Sequence, residues 1–146
     1  FDFLDNENTT IVGDLSQVSN LPDQMVDCFI VTQTLNFIYD FQSAIEGLHK
    51  VLKTEGVALV TVAGICQISR YDMDRWGDYW RFTDLSIKKA FSAVFGEENV
   101  IVDTYGNILT ATSLLHGISS EELSQNELFK RDNDYQVTIT IKAIKK

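Results

Sequence analysis

Hydrophobic and polar positions in the middle of the chain predict a strand, a helix and a second strand. Residues 28–31 form a short apolar run of β-forming side chains, typical of a strand buried on both faces of a parallel sheet. Behind Asp40, apolar side chains recur at three- and four-residue spacing over 41–52, which predicts an amphipathic helix capped by Asp40. Gly56 is expected to end this helix with a positive φ, and the apolar run 57–62 to return parallel to the first strand. The pattern therefore predicts a βαβ unit.

Weaker patterns flank this unit on both sides. Before it, residues 10–12 are expected to form a short strand. After it, Thr83 is a suitable N-cap for a helix that ends at Gly96. The remaining predicted elements are a strand over 100–105, helices over 109–115 and 120–130, and a last strand over 135–143. The last strand alternates apolar and polar side chains, as a half-exposed antiparallel strand does.

Length and charge limit the classes of protein to consider. The 146 residues fit one domain spanning 1–146. Twelve basic against twenty-one acidic residues give a net charge of −9, which argues against a nucleic-acid partner. No apolar run approaches the ~20 residues of a membrane span. Cys28 and Cys66 have no metal-site spacing, so no metal is expected, and the two cysteines are interpreted as reduced thiols of a cytoplasmic protein.

Two loops are the candidate binding segments. In open parallel sheets, ligands bind beyond the carboxyl ends of the strands, which here correspond to residues 32–40 and 63–82. The second segment contains both tryptophans of the protein, interleaved with Arg and Asp. Such a composition suits an acceptor-binding surface, and it equally suits a packed loop held by ion pairs and cation–π contacts.

Several sequence blocks carry a resemblance to a known family. TTIVGDLS, VDCFIVTQTLNFIYD and VLKTEGVALVTV resemble the third-, fourth- and fifth-strand motifs of class I S-adenosylmethionine-dependent methyltransferases of the type 11 group. QISRYDMDRWGDYWRFT and TYGN resemble a bacterial subgroup found beside or fused to glycosyltransferases. The resemblance implies an α/β, Rossmann-like sheet, mostly parallel with a late antiparallel strand. The sequence departs from the family pattern at two places, Thr54-Glu55 and Asn36-Phe37. At the second place the family has Glu-His.

The resemblance also implies a set of functional residues. The cofactor would be S-adenosylmethionine, and the acceptor a small molecule or a glycan. The cofactor-binding candidates are Asp5, Asp14, Leu15, Gln33 and Thr34, with Asp14 on the adenine amino group and the Leu15 amide on a ring nitrogen. The catalytic candidates are Asp72 and Tyr79, and the substrate-binding candidates are Tyr71, Arg75, Trp76, Trp80 and Arg81.

One family feature is missing from these residues. No G-x-G-x-G turn occurs, although the class I fold uses it to approach the methionine part of the cofactor. We therefore expect an N-terminally truncated domain that has no activity alone and binds the cofactor weakly. The exposed sheet edge of such a domain is expected to favour a homodimer.

Two other functions are compatible with the sequence. A non-catalytic methyltransferase-like module for binding or assembly would tolerate the loss of Glu-His. A nicotinamide-dependent α/β enzyme fits less well, because the GDL block and the late antiparallel strand are not its pattern.

Overall fold

The computed structural model describes residue 7 and residues 11–146, and they form an α/β fold. Its strands and helices are, in chain order, β1 (Val26–Thr32), α1 (Phe41–Val51), β2 (Leu52–Ala63), α2 (Arg70–Met73), α3 (Asp84–Phe95), β3 (Val100–Tyr105), α4 (Ile108–His116), α5 (Gln125–Phe129) and β4 (Thr138–Ile144). Single 3₁₀ turns lie at Val18–Asn20, Leu35–Phe37, Glu97–Asn99 and Ser120–Glu122. The predicted candidate Asp5 lies outside the described residues.

The four strands form one sheet in the order β1-β2-β4-β3. β1 and β2 pair in parallel, with Val31 opposite Val60 and Thr32 opposite Thr61. β4 is antiparallel to both β2 and β3. The predicted βαβ unit and the late antiparallel strand are therefore both confirmed.

Helices α1 and α3 cover one face of this sheet. Ile45, Leu48 and Phe91 on these helices are fully buried against strand side chains such as Val60 and Ile141. Apolar burial of this kind supplies most of the stabilisation of a small domain, at about 25 cal/mol per Å².

The prediction that β1 is buried on both faces is wrong. Val31 is buried on the helix-covered side, but Cys28 is exposed and the Ile30 side chain is 68% exposed. Leu59 and Ile101, on the same sheet face as Ile30, are also exposed. A run of four apolar residues does not show whether each face of a strand has a covering layer, because that depends on distant segments.

The helix starts predicted at Asp40 and Thr83 are confirmed, while one predicted helix end differs. Asp40 accepts a hydrogen bond from the Ser43 amide, and Thr83 forms a reciprocal capping box with Ser86. Gly96 follows α3 with φ 86°. The positive φ expected at Gly56 falls instead on Glu55, at 66°, and Gly56 lies inside β2. Here glycine is required by space, because a Cβ would lie 2.7 Å from the Lys53 carbonyl oxygen.

Three predicted elements near the ends of the chain need correction. The helix expected over 120–130 is divided into a 3₁₀ turn and α5, because Ser119 and Ser124 each cap a new start. The strand expected from residue 135 begins at Thr138. Of the strand expected over 10–12, Thr10 lies outside the described residues, Ile11 is in a bend and Val12 forms a single bridge.

Lys145 is a buried cation at the end of β4. Only 9% of the residue is exposed, and its ammonium donates to the Leu52 carbonyl at 2.8 Å and more distantly to the Lys50 carbonyl at 3.5 Å. These carbonyls lie at the C-terminal end of α1, where a positive charge is favourable. Lys145 therefore ties the last strand to the end of the first helix.

We predict that Lys145→Met lowers the free energy of unfolding by about 1–3 kcal/mol, because it leaves buried carbonyl oxygens without a donor. Lys146→Met is the matched control: this ammonium pairs with the exposed Glu55 carboxylate, so its loss is expected to cost less than about 1 kcal/mol. Urea unfolding of both variants measures the difference, and equal costs would contradict the role given to Lys145.

None of the helices in the described part of the chain is both long and apolar enough to span a bilayer.

Candidate functional site

The carboxyl ends of β1 and β2 bring the two predicted binding loops together. Gln33, directly after β1, donates its amide to the Thr61 carbonyl at 2.9 Å and to the Thr61 hydroxyl at 3.2 Å. Its side-chain amide also reaches the Thr61 hydroxyl, at 3.3 Å. Gln33 has φ 50°, a conformation that costs a non-glycine residue about 1 kcal/mol or more and that is common at functional sites. The chain thus turns sharply where β1 ends.

Asn36 joins the first loop to the second. Its carbonyl accepts hydrogen bonds from the amides of Tyr79, at 2.9 Å, and Trp80, at 3.2 Å. The Trp80 indole N–H in turn donates to the Tyr39 carbonyl at 3.1 Å. Asn36 is itself 4% exposed, so this link between the loops is buried.

Aromatic rings pack along this seam. Tyr39 meets the edge of Tyr79 at 5.4 Å between centroids and lies 5.9 Å from Trp80. Phe41 then contacts Trp80 at 5.4 Å and Phe82 at 5.1 Å, both edge-on. Edge-on aromatic pairs stabilise by about 0.5–1.5 kcal/mol each. This series of ring contacts extends from the exposed loops into the core.

A buried ion pair fixes the second loop internally. The Asp78 side chain is 1% exposed and accepts from both terminal nitrogens of Arg81, at 2.6 and 2.9 Å. It also accepts from the Ser69 amide at 2.9 Å, while Arg81 donates to the Gln67 carbonyl. The hydrogen bonds from Arg81 lower the pKa of Asp78, so this carboxylate stays ionised. It is therefore poorly suited to act as a general base.

An open cavity of about 680 Å³ lies at this edge of the sheet. It is lined by residues 13–16, Thr34, residues 37–40, Trp76 and Tyr79. This volume lies in the range of small-molecule and cofactor sites. The structure thus brings the predicted candidates Asp14, Leu15, Thr34, Trp76 and Tyr79 into one lining.

The Asp14 loop has free hydrogen-bonding groups at this cavity. One carboxylate oxygen of Asp14, Oδ1, accepts from the Ser16 amide at 2.9 Å and from the Ser16 hydroxyl at 2.7 Å. Among the described residues, neither Asp14 Oδ2 nor the Leu15 amide has a hydrogen-bond partner. An acceptor and a donor on adjacent residues match the edge of an adenine ring, which offers an amino group beside a ring nitrogen.

Gly47 in α1 allows this loop to approach. A Cβ on Gly47 would lie 2.2 Å from the Leu15 carbonyl oxygen and 2.8 Å from Leu21 Cδ1. Glycine in a helix interior costs about 1 kcal/mol relative to alanine. Here that cost is offset by the close packing of the Asp14–Leu15 loop on the helix.

Other predicted candidates lie outside the lining of this cavity. Gln33 contacts Thr61, Trp80 packs into the seam, and Arg81 is held by Asp78. Tyr71 lies under the Arg75 guanidinium, 3.4 Å from the ring centroid, and Arg75 donates to the Tyr71 carbonyl. A smaller cavity of about 520 Å³ is lined by residues 73–79 and includes Arg75, while Asp72 lines neither cavity.

The site candidates named from the sequence left out several residues of this site. The predicted binding segment 32–40 contains Asn36 and the lining residues 37–40, but none of them was named individually as a site candidate, and neither were Gly13, Ser16 and the supporting Gly47. Glycine inside an otherwise regular amphipathic helix was the one available signal, because it costs stability unless another segment packs there. In the described part of the chain, no group of three or more His, Cys, Asp or Glu side chains could hold a metal ion.

Comparison with known proteins identifies the fold. A family model described as "Methyltransferase domain" matches residues 3–60. A possible histamine N-methyltransferase from Thermotoga maritima, described as S-adenosylmethionine-dependent, superposes with a TM-score of 0.60 over 93% of this chain at 18% identity. The chain has the class I methyltransferase fold.

Two further solved structures share this methyltransferase fold. An S-adenosylmethionine-dependent methyltransferase from Archaeoglobus fulgidus has a TM-score of 0.57 at 12% identity over 92% of this chain. Phosphoethanolamine N-methyltransferase 2 from Haemonchus contortus, in complex with phosphomonomethylethanolamine and S-adenosylhomocysteine, has a TM-score of 0.58 at 13% identity over 92% of this chain. This chain spans 63%, 66% and 36% of the Thermotoga, Archaeoglobus and Haemonchus chains, respectively. No curated protein sequence matches the chain significantly.

We predict that Asp78→Asn destabilises the methyltransferase fold by about 3 kcal/mol, because it leaves the partly buried Arg81 guanidinium without its anion. The lowered pKa of Asp78 stabilises the folded state above its ordinary value of 3.8, and this contribution is lost as the pH falls below that value. Asp74→Asn is the control, since Asp74 and Arg70 form an exposed pair at 3.7 Å. Chemical unfolding at neutral and acidic pH measures the free energy of unfolding of both variants. Only Asp78→Asn should show a large loss of stability at neutral pH and a changed dependence of stability on pH in the acidic range.

We also predict that Gly47→Ala lowers the free energy of unfolding by about 1–3 kcal/mol, because the alanine methyl group would overlap the Leu15 carbonyl. This loss is expected although alanine is the better helix former. Glu46→Ala, at the adjacent exposed position of the same helix, is expected to be neutral within about 0.5 kcal/mol. Thermal unfolding compares the two variants. A stabilised Gly47→Ala variant would contradict the packing of the Asp14–Leu15 loop on α1.

Proposed function

We propose that this chain provides the adenine- and acceptor-binding side of an S-adenosylmethionine-dependent methyltransferase. The matched methyltransferase domain and the shared fold support S-adenosylmethionine as the cofactor. One structure of the Haemonchus enzyme is in complex with S-adenosyl-L-methionine itself. The observation that carries the proposal is the pair formed by Asp14 Oδ2 and the Leu15 amide, an acceptor beside a donor on a cavity of about 680 Å³.

The residues present fit the adenine end of this cofactor. Asp14 Oδ2 would accept from the exocyclic amino group, and the Leu15 amide would donate to a ring nitrogen. When bound, the cofactor supplies an electrophilic methyl group on a sulfonium centre. Transfer of that group requires mainly approach and orientation of the acceptor, so no fixed catalytic triad is expected in the chain.

The acceptor side would be formed by the 70–83 segment. Trp76 and Tyr79 line both cavities, so their rings can orient an acceptor. The Tyr79 hydroxyl donates weakly to the Trp76 carbonyl at 3.3 Å and can exchange that contact for an acceptor oxygen or nitrogen. For a hydroxyl acceptor the proton would pass to a carboxylate or to water. The Tyr79 hydroxyl, as a hydrogen-bond donor, would orient the acceptor, while Asp72 lines neither cavity.

The acceptor class is proposed as a small molecule or a glycan. The glycan option is supported by the resemblance of the QISRYDMDRWGDYWRFT and TYGN blocks to a glycosyltransferase-associated subgroup. The small-molecule option is supported by two of the fold relatives: one is described as a possible histamine N-methyltransferase, and the other is in complex with phosphomonomethylethanolamine.

A homodimer through the exposed sheet edge also remains a proposal. The 68% exposed Ile30 side chain, on the sheet face opposite α1 and α3, supports association, since exposed apolar side chains favour it.

A non-catalytic methyltransferase-like module is the second candidate function. One observation favours it. Asn36 replaces the charged residue of the family pattern, and its backbone carbonyl links the two loops by hydrogen bonds. Calorimetric titration of the natural full-length protein with S-adenosylhomocysteine distinguishes the two. Saturable binding supports the methyltransferase, and no heat at millimolar ligand supports the module.

We predict that Asp14→Asn weakens S-adenosylhomocysteine binding by about 1–3 kcal/mol without unfolding the loop. Asparagine keeps an oxygen for Ser16 but places an amide donor where adenine presents another donor. Asp23→Asn removes the same charge at an exposed position outside the cavity and serves as the control. Calorimetry on both variants tests the assignment, and equal affinities would overturn it.

A further inference from the structure

The 680 Å³ cavity, referred to below as the edge cavity, has a distinctive chemical lining. Four of its lining residues are aromatic, namely Phe37, Tyr39, Trp76 and Tyr79. Two are carboxylates, Asp14 and Asp40, and none of the lining residues is Lys, Arg or His. A surface of this composition carries negative potential from both the carboxylates and the faces of the rings.

The aromatic side chains are unusually accessible for their size. Tyr39 is 70% exposed, Tyr79 48% and Trp76 46%. Tyr39 and Tyr79 meet at an interplanar angle of 75°, with 5.4 Å between centroids, so their planes form two walls of a corner. Rings at right angles around a concave site are the arrangement that encloses an alkylated or protonated ammonium group.

This corner is held in place before any ligand arrives. The Asn36 carbonyl binds the Tyr79 amide, and the Tyr39 carbonyl accepts from the Trp80 indole. Asp40 is fixed as well, because its carboxylate caps α1 through the Ser43 amide at 3.1 Å. A preorganised site loses less entropy when it binds its ligand.

The neighbouring arginines are engaged elsewhere. Arg75 lies over the Tyr71 ring and donates to the Tyr71 carbonyl, and Arg81 is paired with Asp78. An anionic group entering the edge cavity would therefore meet two carboxylates and no lining cation. The lining disfavours phosphate or carboxylate groups at this position and favours a positive one.

We propose that the acceptor carries a cationic nitrogen group, a protonated or N-alkylated amine, which binds in the edge cavity against Tyr39, Trp76 and Tyr79 with Asp40 as its counter-charge. The description of this group as part of an acceptor rests on the proposed methyltransferase function. Recognition itself makes and breaks no covalent bond, and the recognised nitrogen need not be the atom that is methylated.

Choline and 3,3-dimethylbutan-1-ol are suitable probes, because they share one shape and differ by one charge. Titration of the natural full-length protein, followed by tryptophan fluorescence, should show saturable binding of choline about tenfold tighter than that of the neutral alcohol. Equal affinities, or no saturable response to choline, would overturn the proposal.

Variants test the assignment to this corner. Tyr39→Leu should weaken choline several-fold, since it removes one wall. Asp40→Asn retains a good helix cap, so it should weaken choline while leaving the neutral alcohol unchanged. Phe129→Leu, an exposed aromatic replacement on α5 outside both cavity linings, is the matched control. Unchanged choline binding in both Tyr39→Leu and Asp40→Asn would refute the site.

A competition experiment separates this proposal from the proposed function. Choline binding that persists with saturating S-adenosylhomocysteine supports an acceptor position beside the cofactor. Choline displaced by S-adenosylhomocysteine would show that the corner belongs to the cofactor and would overturn the proposal. If S-adenosylhomocysteine binds and choline does not, the acceptor inference fails alone; if choline binds and S-adenosylhomocysteine does not, the methyltransferase function fails while the cation site stands.

Discussion

The parallel pairing of β1 with β2 is the constraint on which the candidate site depends. It places Thr32 opposite Thr61, so both strands end at one edge of the sheet. The loops that follow them are far apart in sequence and adjacent in space. Only this pairing allows the Asn36 carbonyl to accept from the amides of Tyr79 and Trp80. Without it, the aromatic corner and the cavity behind it would not exist.

The loops at this edge divide their residues between support and binding. Asp78, Arg81 and Trp80 have partners within the chain and give the second loop its shape. Tyr79 and Trp76, in the same segment, remain accessible at the cavity. Both interpretations of the Arg-, Asp- and aromatic-rich segment 63–82 are therefore partly correct. Part of it is a packed loop, and the rest is exposed at a candidate binding surface.

The Asp14–Leu15 loop reaches the same cavity from the other side. Its position depends on Gly47, a residue of α1 that leaves room for the Leu15 carbonyl. One helix thus positions two parts of the site, because its N-cap Asp40 lines the cavity and its middle supports the Asp14–Leu15 loop. A change in the packing of α1 on the sheet would therefore shift both Asp40 and the Asp14–Leu15 loop.

The sequence by itself determined the local structure and the family resemblance. Helix starts at Asp40 and Thr83, the helix end at Gly96 and the apolar stripe of α1 follow from rules that act within a few residues. The candidates Asp14 and Leu15 came from short motifs, and the structure places them on one cavity. Only the tertiary structure decided which face of β1 is covered, that Lys145 is buried on the end of α1, and that Asn36, Tyr39 and Gly47 shape the site. The physical reason is distance along the chain: these contacts join segments more than twenty residues apart, whereas periodicity and capping report only on a residue's immediate neighbours.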